Sequence, residues 1–292
     1  MGQKSMTEYR ENYYQSGDGL KLYSRLYGDD ANKNVILCMH GLTRNSADFH
    51  NIALHLCERY RVISVDQRGR GKSQWDPESS RYNPVTYVSD MWALLDSLSI
   101  DAVALVGTSL GGLMSMIMGA TVPARVKGIV LNDIGPVIER KGLERIKKYV
   151  GKASQFDSWQ DLADTNKTLH ELAFPDFTDD DWMRFAKRTG IEGGDGKINM
   201  NYDPAISKPI EEDAASAIPP DLWHIFAMLA GKEMLTVRGE ISDILSQEVL
   251  TEMIEMHEGM ETHIVPNEGH APFMDDPDTL EAIDFWAKRV FD

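Results

Sequence analysis

A chain of 292 residues, 42% apolar, with a formal net charge of −16, suits one large α/β unit carrying an insertion better than two independent domains. The charge disfavours nucleic acid and anionic membrane as partners, and no apolar stretch is long enough to span a bilayer. Residues 1–8 lack the apolar core of a signal peptide, and Met6 stands where a myristoylation signal needs Ser or Thr. Cys38 on a predicted buried strand and Cys57 on a predicted helix are then expected to be reduced thiols of a cytoplasmic protein.

In chain order, residues 9–15 and 20–27 read as a hairpin around the turn Ser16-Gly17-Asp18-Gly19. The run from Val35 to Met39 is a strand buried on both faces. Ser46 is placed to cap a helix carrying Phe49, Ile52, Ala53, Leu56 and Cys57. A strand at 62–65 and a helix at 85–98 follow, then strands at 103–106 and 126–131. Alternating strands and helices imply a mainly parallel sheet with helices on both faces.

That pattern breaks at about Pro136. Through residue 220 strand-like runs vanish, and charge and large aromatics take over: Tyr149, Phe156, Trp159, Phe174, Phe177, Trp182, Phe185 and Tyr202. Helices are expected over 138–150, 159–172 and 179–188, with Thr178 and Ser158 as caps and a loop at Gly190, Gly193, Gly194 and Gly196. Most of the aromatics should form the segment's own core, with one or two facing a pocket. Pro219-Pro220 should open a helix through Leu222, Trp223, Ile225, Phe226 and Leu229. Strands resume near Glu233 and Thr262, and an amphipathic helix at 280–291 closes the chain. The expected organisation is a core of 1–135 and 221–292 with a helical cap at 136–220.

The chemistry centres on Ser109. The strand 103–106 runs into Gly107-Thr108-Ser109-Leu110-Gly111, and a helix follows. A Gly-x-Ser-x-Gly turn in that setting forces its serine to positive φ and lifts the hydroxyl to a helix N-terminus, where developing negative charge is favoured. A serine needs a general base, and His270, in a loop after a short strand, is suited to it. The acid that orients the imidazole should lie between them after another strand, and Asp243, beyond the strand 234–239, is the first choice. Glu240 in the same loop and Asp133 at the end of an earlier strand are the alternatives. The remaining histidines, including His50, His55, His170, His224, His257 and His263, lack such context and read as structural or exposed. Met114, Met116 and Met118 read as packing under the sheet.

With these motifs the chain resembles the α/β-hydrolase superfamily, in its capped esterase and lactonase-like branch, from about Tyr23 onward. Two further segments carry the resemblance: Val35-Ile36-Leu37-Cys38-Met39-His40-Gly41-Leu42, and Asp66-Gln67-Arg68-Gly69-Arg70-Gly71-Lys72-Ser73. By that resemblance the backbone N–H groups of Leu42 and Leu110 form the oxyanion hole, and the second segment is structural. Its glycines lack the spacing of a phosphate-binding loop. Acidic runs at 179–181 and 211–213 read as solvated helix starts, and no His/Cys/Asp cluster has metal-ligand spacing. The resemblance implies a hydrolase without metal or organic cofactor, acting as a monomer or homodimer on a small ester or related acyl compound. Cleavage of a carbon–carbon bond or an enol lactone by the same three residues is the nearest alternative, and a ligand sensor on the same fold is the alternative from another class.

Overall fold

The computed structural model describes residues 8–152, 155–212 and 221–292, apart from the side chains of 211 and 212. Its strands are β1 (Arg10–Gln15), β2 (Lys21–Tyr27), β3 (Val35–Met39), β4 (Arg61–Asp66), β5 (Val103–Thr108), β6 (Val126–Asn132), β7 (Gln155–Phe156), β8 (Gly190–Glu192), β9 (Ile198–Met200), β10 (Glu233–Gly239) and β11 (Glu261–Val265). Eight of them form one sheet in the order β1-β2-β4-β3-β5-β6-β10-β11. The β1–β2 hairpin is antiparallel, β2 runs antiparallel to β4, and the remaining pairings are parallel.

Period-two alternation explains how this sheet is buried on both sides. On β3, Ile36 and Cys38 pack to one face, while Leu37 and Met39 pack to the other. The helices, in chain order, are α1 (His50–Leu56), α2 (Pro84–Ser97), α3 (Leu110–Thr121), α4 (Arg140–Lys147), α5 (Trp159–His170), α6 (Asp179–Thr189), α7 (Lys208–Glu212), α8 (Trp223–Ala227), α9 (Gln247–Met256) and α10 (Pro277–Phe291). α1 and α10 cover the first face with Ile52, Leu56, Ile283 and Trp286. α2 and α3 cover the second with Met91, Leu94, Met114 and Met118. The three methionines after Ser109 are therefore packing residues, as expected.

One expected cap is corrected. Asn45, not Ser46, accepts the hydrogen bond at the start of the helix, from the N–H of Ala47, and a 3-10 turn (Ser46–Phe49) precedes α1. Asn and Ser compete closely for this role, and position decides: Ser46 is already the first residue of the turn, and its own N–H is satisfied by donating to Asp66 at 2.6 Å.

Between β6 and β10 the chain leaves the sheet. Thr178 and Asp181 form a capping box at the start of α6, and Ser158 caps α5 through the N–H of Asp161. Leu162, Phe174, Trp182, Phe185 and Ile198 form a separate small core here. The segment also contains a three-stranded sheet, β7-β9-β8, contrary to the all-helical expectation. Its strands are two or three residues long, too short for alternation to register. The expected glycine loop is the turn of its β8–β9 hairpin, with Gly196 at φ +78°. The expected Pro219-Pro220 helix start lies outside the described residues; α8 carries the later part of that run. Among the described residues no helix is long and apolar enough to cross a membrane.

Candidate active site

The β5–α3 turn holds Ser109 at φ 52°, ψ −111°, a conformation that costs about 1–3 kcal/mol and persists only where the surroundings enforce it. They do so by contact. A Cβ on Gly107 would sit 2.3 Å from the carbonyl oxygen of Gly111, and one on Gly111 would sit 1.9 Å from that of Met39. The amide of Ser109 donates to Asn132 at 3.0 Å, tying the turn to β6.

His270 follows β11, in a loop docked on the insertion through Gly269 N–H, which donates to Ala173 at 2.6 Å. Its Nε2 lies 2.9 Å from Ser109 Oγ, and its Nδ1 lies 2.8 Å from Asp133 Oδ2. The first-choice acid is thus corrected from Asp243 to Asp133. Asp243 is engaged elsewhere: both its oxygens accept from Arg145, at 2.6 and 2.7 Å. Burial opposes ionisation of Asp243, but the Arg145 bonds outweigh it and hold the carboxyl below its ordinary pKa. Glu240 accepts from the amide of Asn267. Asp133 is wholly buried at the end of β6, next to the strand that carries Ser109. Its Oδ1 accepts from Gly239 N–H at 2.9 Å, and its Oδ2 accepts from Ser242 Oγ at 2.6 Å as well as facing the imidazole.

The His40-Gly41-Leu42 loop borders Ser109 on its other side. His40 is fully buried. Its Nε2 accepts from the amide of Gln67 at 3.0 Å, so the ring proton is on Nδ1, which donates to the Gly41 carbonyl at 2.7 Å. Burial drives the pKa of His40 down to about 3 and keeps this tautomer neutral. The carbonyl it holds belongs to the same trans peptide as the Leu42 N–H, so that N–H points the opposite way. Arg70 Nε donates to the Leu42 carbonyl at 2.9 Å, fixing the next peptide as well. Neither Leu42 N–H nor Leu110 N–H donates to a described group.

Ser109 and His270 open onto a cavity of about 120 Å³ between the sheet edge and the insertion. Five insertion aromatics line it, Tyr149, Phe156, Phe174, Phe185 and Tyr202, more than the one or two expected. Arg44 and His170 line it too. His170, expected to be structural or exposed, was beyond sequence reasoning: only the fold of α5 brings it here. Its ring packs against Tyr149 and Phe185, and burial, reinforced by Arg44, Arg145 and His270, pushes its pKa down to about 3. A second, apolar cavity of about 60 Å³ shares Ser109 and Leu42 with the first.

Glu268, two residues before His270, has its pKa pushed up to about 7 by burial, with Asp276, Asp275 and Asp133 adding to the rise. A carboxyl whose pKa rises on folding binds more protons folded than unfolded. Its folding contribution is therefore fullest below the ordinary carboxylate value of about 4.5 and is lost as pH climbs through about 7. Glu268→Gln should accordingly raise Tm more at pH 8 than at pH 5, read by thermal melts in matched buffers. An equal shift at both values would refute this.

Comparison with known proteins agrees with the geometry. The chain matches the alpha/beta hydrolase fold family over residues 34–277 and belongs to that family. The 3-hydroxybutyrate-oligomer hydrolase of Cupriavidus necator is 35% identical over 257 residues, covering 86% of this chain and 87% of that one. The 2-(acetamidomethylene)succinate hydrolase of Mesorhizobium japonicum is 29% identical over 250 residues, covering 85% and 86%. An alpha/beta hydrolase structure from Novosphingobium aromaticivorans superposes with a TM-score of 0.92 at 38% identity, covering 98% of this chain and all of that one. The protein is a hydrolase of the α/β-hydrolase family.

Proposed function

We propose that this protein hydrolyses a small carboxylic ester through an acyl-enzyme, with Ser109, His270 and Asp133 as the reacting set. The observation that carries this reading is the unbroken hydrogen-bonded line from Asp133 through His270 to Ser109, opening on a cavity. His270 Nε2 takes the hydroxyl proton as Ser109 Oγ bonds to the substrate carbonyl carbon. The resulting oxyanion accepts from the N–H groups of Leu42 and Leu110. The imidazolium, oriented by Asp133, then gives its proton to the departing alkoxide, leaving the acyl group on Ser109. Water, deprotonated by the same nitrogen, adds to the acyl carbon; Ser109 leaves and recovers the proton. The insertion acts as a cap that narrows access to this line.

An oligomer of a 3-hydroxy acid is joined by ester bonds, so the Cupriavidus necator relative favours an ester over a carbon–carbon bond or a lactone. Ser109→Ala should abolish turnover of short p-nitrophenyl esters and labelling by a fluorophosphonate probe, with the melting curve nearly unmoved. Persisting turnover in that variant would refute the nucleophile. Rapid cleavage of a vinylogous diketone beside negligible ester turnover would refute the choice of bond.

A further inference from the structure

We propose that Arg44 is the anchor for a substrate carboxylate, making the natural ester one with an anionic limb on the cap side and a short apolar limb in the second, apolar cavity. The inference rests on the ester-hydrolase reading and adds the substrate class to it.

Arg44 lies four residues past His40, and its stem is beside the nucleophile. A methyl built on Gly41 would lie 3.7 Å from Ser109 Cβ and 3.9 Å from Arg44 Cγ. The guanidinium rests against two aromatic rings that meet edge to face, 4.3 Å from the centre of Phe185 and 4.6 Å from that of Phe273. Phe185 comes from the insertion and Phe273 from the loop after His270, so two separate segments of the site meet on one cation. Asp48 takes its Nε, at 3.1 and 2.8 Å, and fixes the fork's direction. The terminal nitrogens, Nη1 and Nη2, donate to no described group, and Arg44 and Asp48 both line the cavity. The other arginines nearby are engaged differently: Arg145 by both oxygens of Asp243, and Arg188 by Asp275.

A planar fork packed against aromatic rings, with both terminal nitrogens uncommitted, matches a carboxylate in shape as well as charge. Aromatic rings beside the fork lower the local dielectric, which strengthens such a contact. His170 lines the same cavity, and burial first, then Arg44 and Arg145, lowers its pKa, which disfavours a second cation beside Arg44. The smaller cavity that also reaches Ser109 is walled mainly by aliphatic residues such as Leu110, Leu113, Ile134 and Ile138, with Tyr82 and Tyr87, and no charged side chain lines it. A carbonyl carbon at Ser109 therefore has one limb in each environment. A hydroxy-acid ester with a free carboxyl end meets both requirements.

The test compares a carboxylate-terminated hydroxy-acid ester with the same ester ending in a primary amide, which keeps the shape and removes the charge. In the unaltered protein kcat/KM should favour the carboxylate by about 10- to 100-fold, as expected for a charge-assisted pair. Arg44→Gln should collapse that ratio toward one, and Arg44→Lys should restore part of it. The same preference should appear in Kd, titrated on Ser109→Ala protein, and should vanish in the double variant with Arg44→Gln. Equal kcat/KM or Kd for the two esters in the unaltered background, or a ratio untouched by Arg44→Gln, would overturn the proposal. Since the titration needs no turnover, carboxylate preference in binding without any ester hydrolysis would refute the ester reading and leave the anchor standing.

Discussion

Asp133→Asn is expected to lower kcat by about four orders of magnitude, whereas Asp243→Asn should stay within about tenfold of the unaltered protein. Four orders correspond to about 5.5 kcal/mol of lost transition-state stabilisation. The reason lies in which atoms surround the carboxylate. Oδ1 of Asp133 accepts from the backbone N–H of Gly239, a donor that cannot reverse. An asparagine must therefore keep its carbonyl oxygen there and turn its NH2 toward Ser242 and His270. The hydroxyl of Ser242 can rotate to accept, but Nδ1 of His270 can accept only by surrendering its proton to Nε2. Nε2 then has no lone pair for the proton of Ser109. The ring keeps its place and loses its function as a base. Asp243→Asn removes one charge from the Arg145 pair and leaves this line untouched. Steady-state kinetics on a p-nitrophenyl ester decides the matter. A silent Asp133→Asn beside a crippling Asp243→Asn would return the role to Asp243.

The ambiguity between these two acids has a physical origin. β6 and β10 are neighbours in the sheet, with Asn132 beside Val237, so the loops after both open at the same edge next to β5. Two acidic loops converging on one histidine look alike in a linear sequence. What separates them is register and partners. Asp133 comes directly off the last residue of β6, at φ 54°, with its amide donating to Val237 at 2.7 Å. Asp243 lies four residues beyond its strand and is drawn off by Arg145, which sits in the insertion 98 residues away. No local pattern announces such a partner. By contrast Ser109 and His270 were legible because each sits in a short motif whose backbone demands are local. The same division runs through the fold. The parallel sheet follows from runs such as Val35–Met39, apolar throughout because both faces are covered. The small sheet of the insertion, and the aromatics that it and its helices turn toward Ser109, depend on contacts made only after the chain has folded.

The largest loss of stability should come from Arg68→Met. Arg68 is 1% exposed and binds Asp90 bidentately, at 2.7 and 2.6 Å. It also binds Asp76 at 2.5 Å and Asp18 at 2.9 Å. Asp76 and Asp90 are themselves buried, so one guanidinium compensates two carboxylates with no access to water. Methionine fills much of the same volume and leaves both charges stranded, for which the expected cost is about 3–5 kcal/mol. Typical domains have only about 5–15 kcal/mol in total. Arg81 reaches Asp76 at 3.5 Å and is half-exposed, so it offsets little of the loss. The pH dependence gives the prediction a sign. Burial already raises the pKa of Asp90 above its ordinary value despite Arg68, and removing Arg68 raises it further. A group whose folded pKa is raised contributes fully only below its unfolded value and loses that contribution as pH rises. The deficit of Arg68→Met should therefore be larger at pH 8 than at pH 5. Urea denaturation at both values measures it. A loss under about 1 kcal/mol at pH 8, within the range of a surface ion pair, would show that the buried charges are relieved some other way. A deficit that grows toward acid pH would contradict the argument outright.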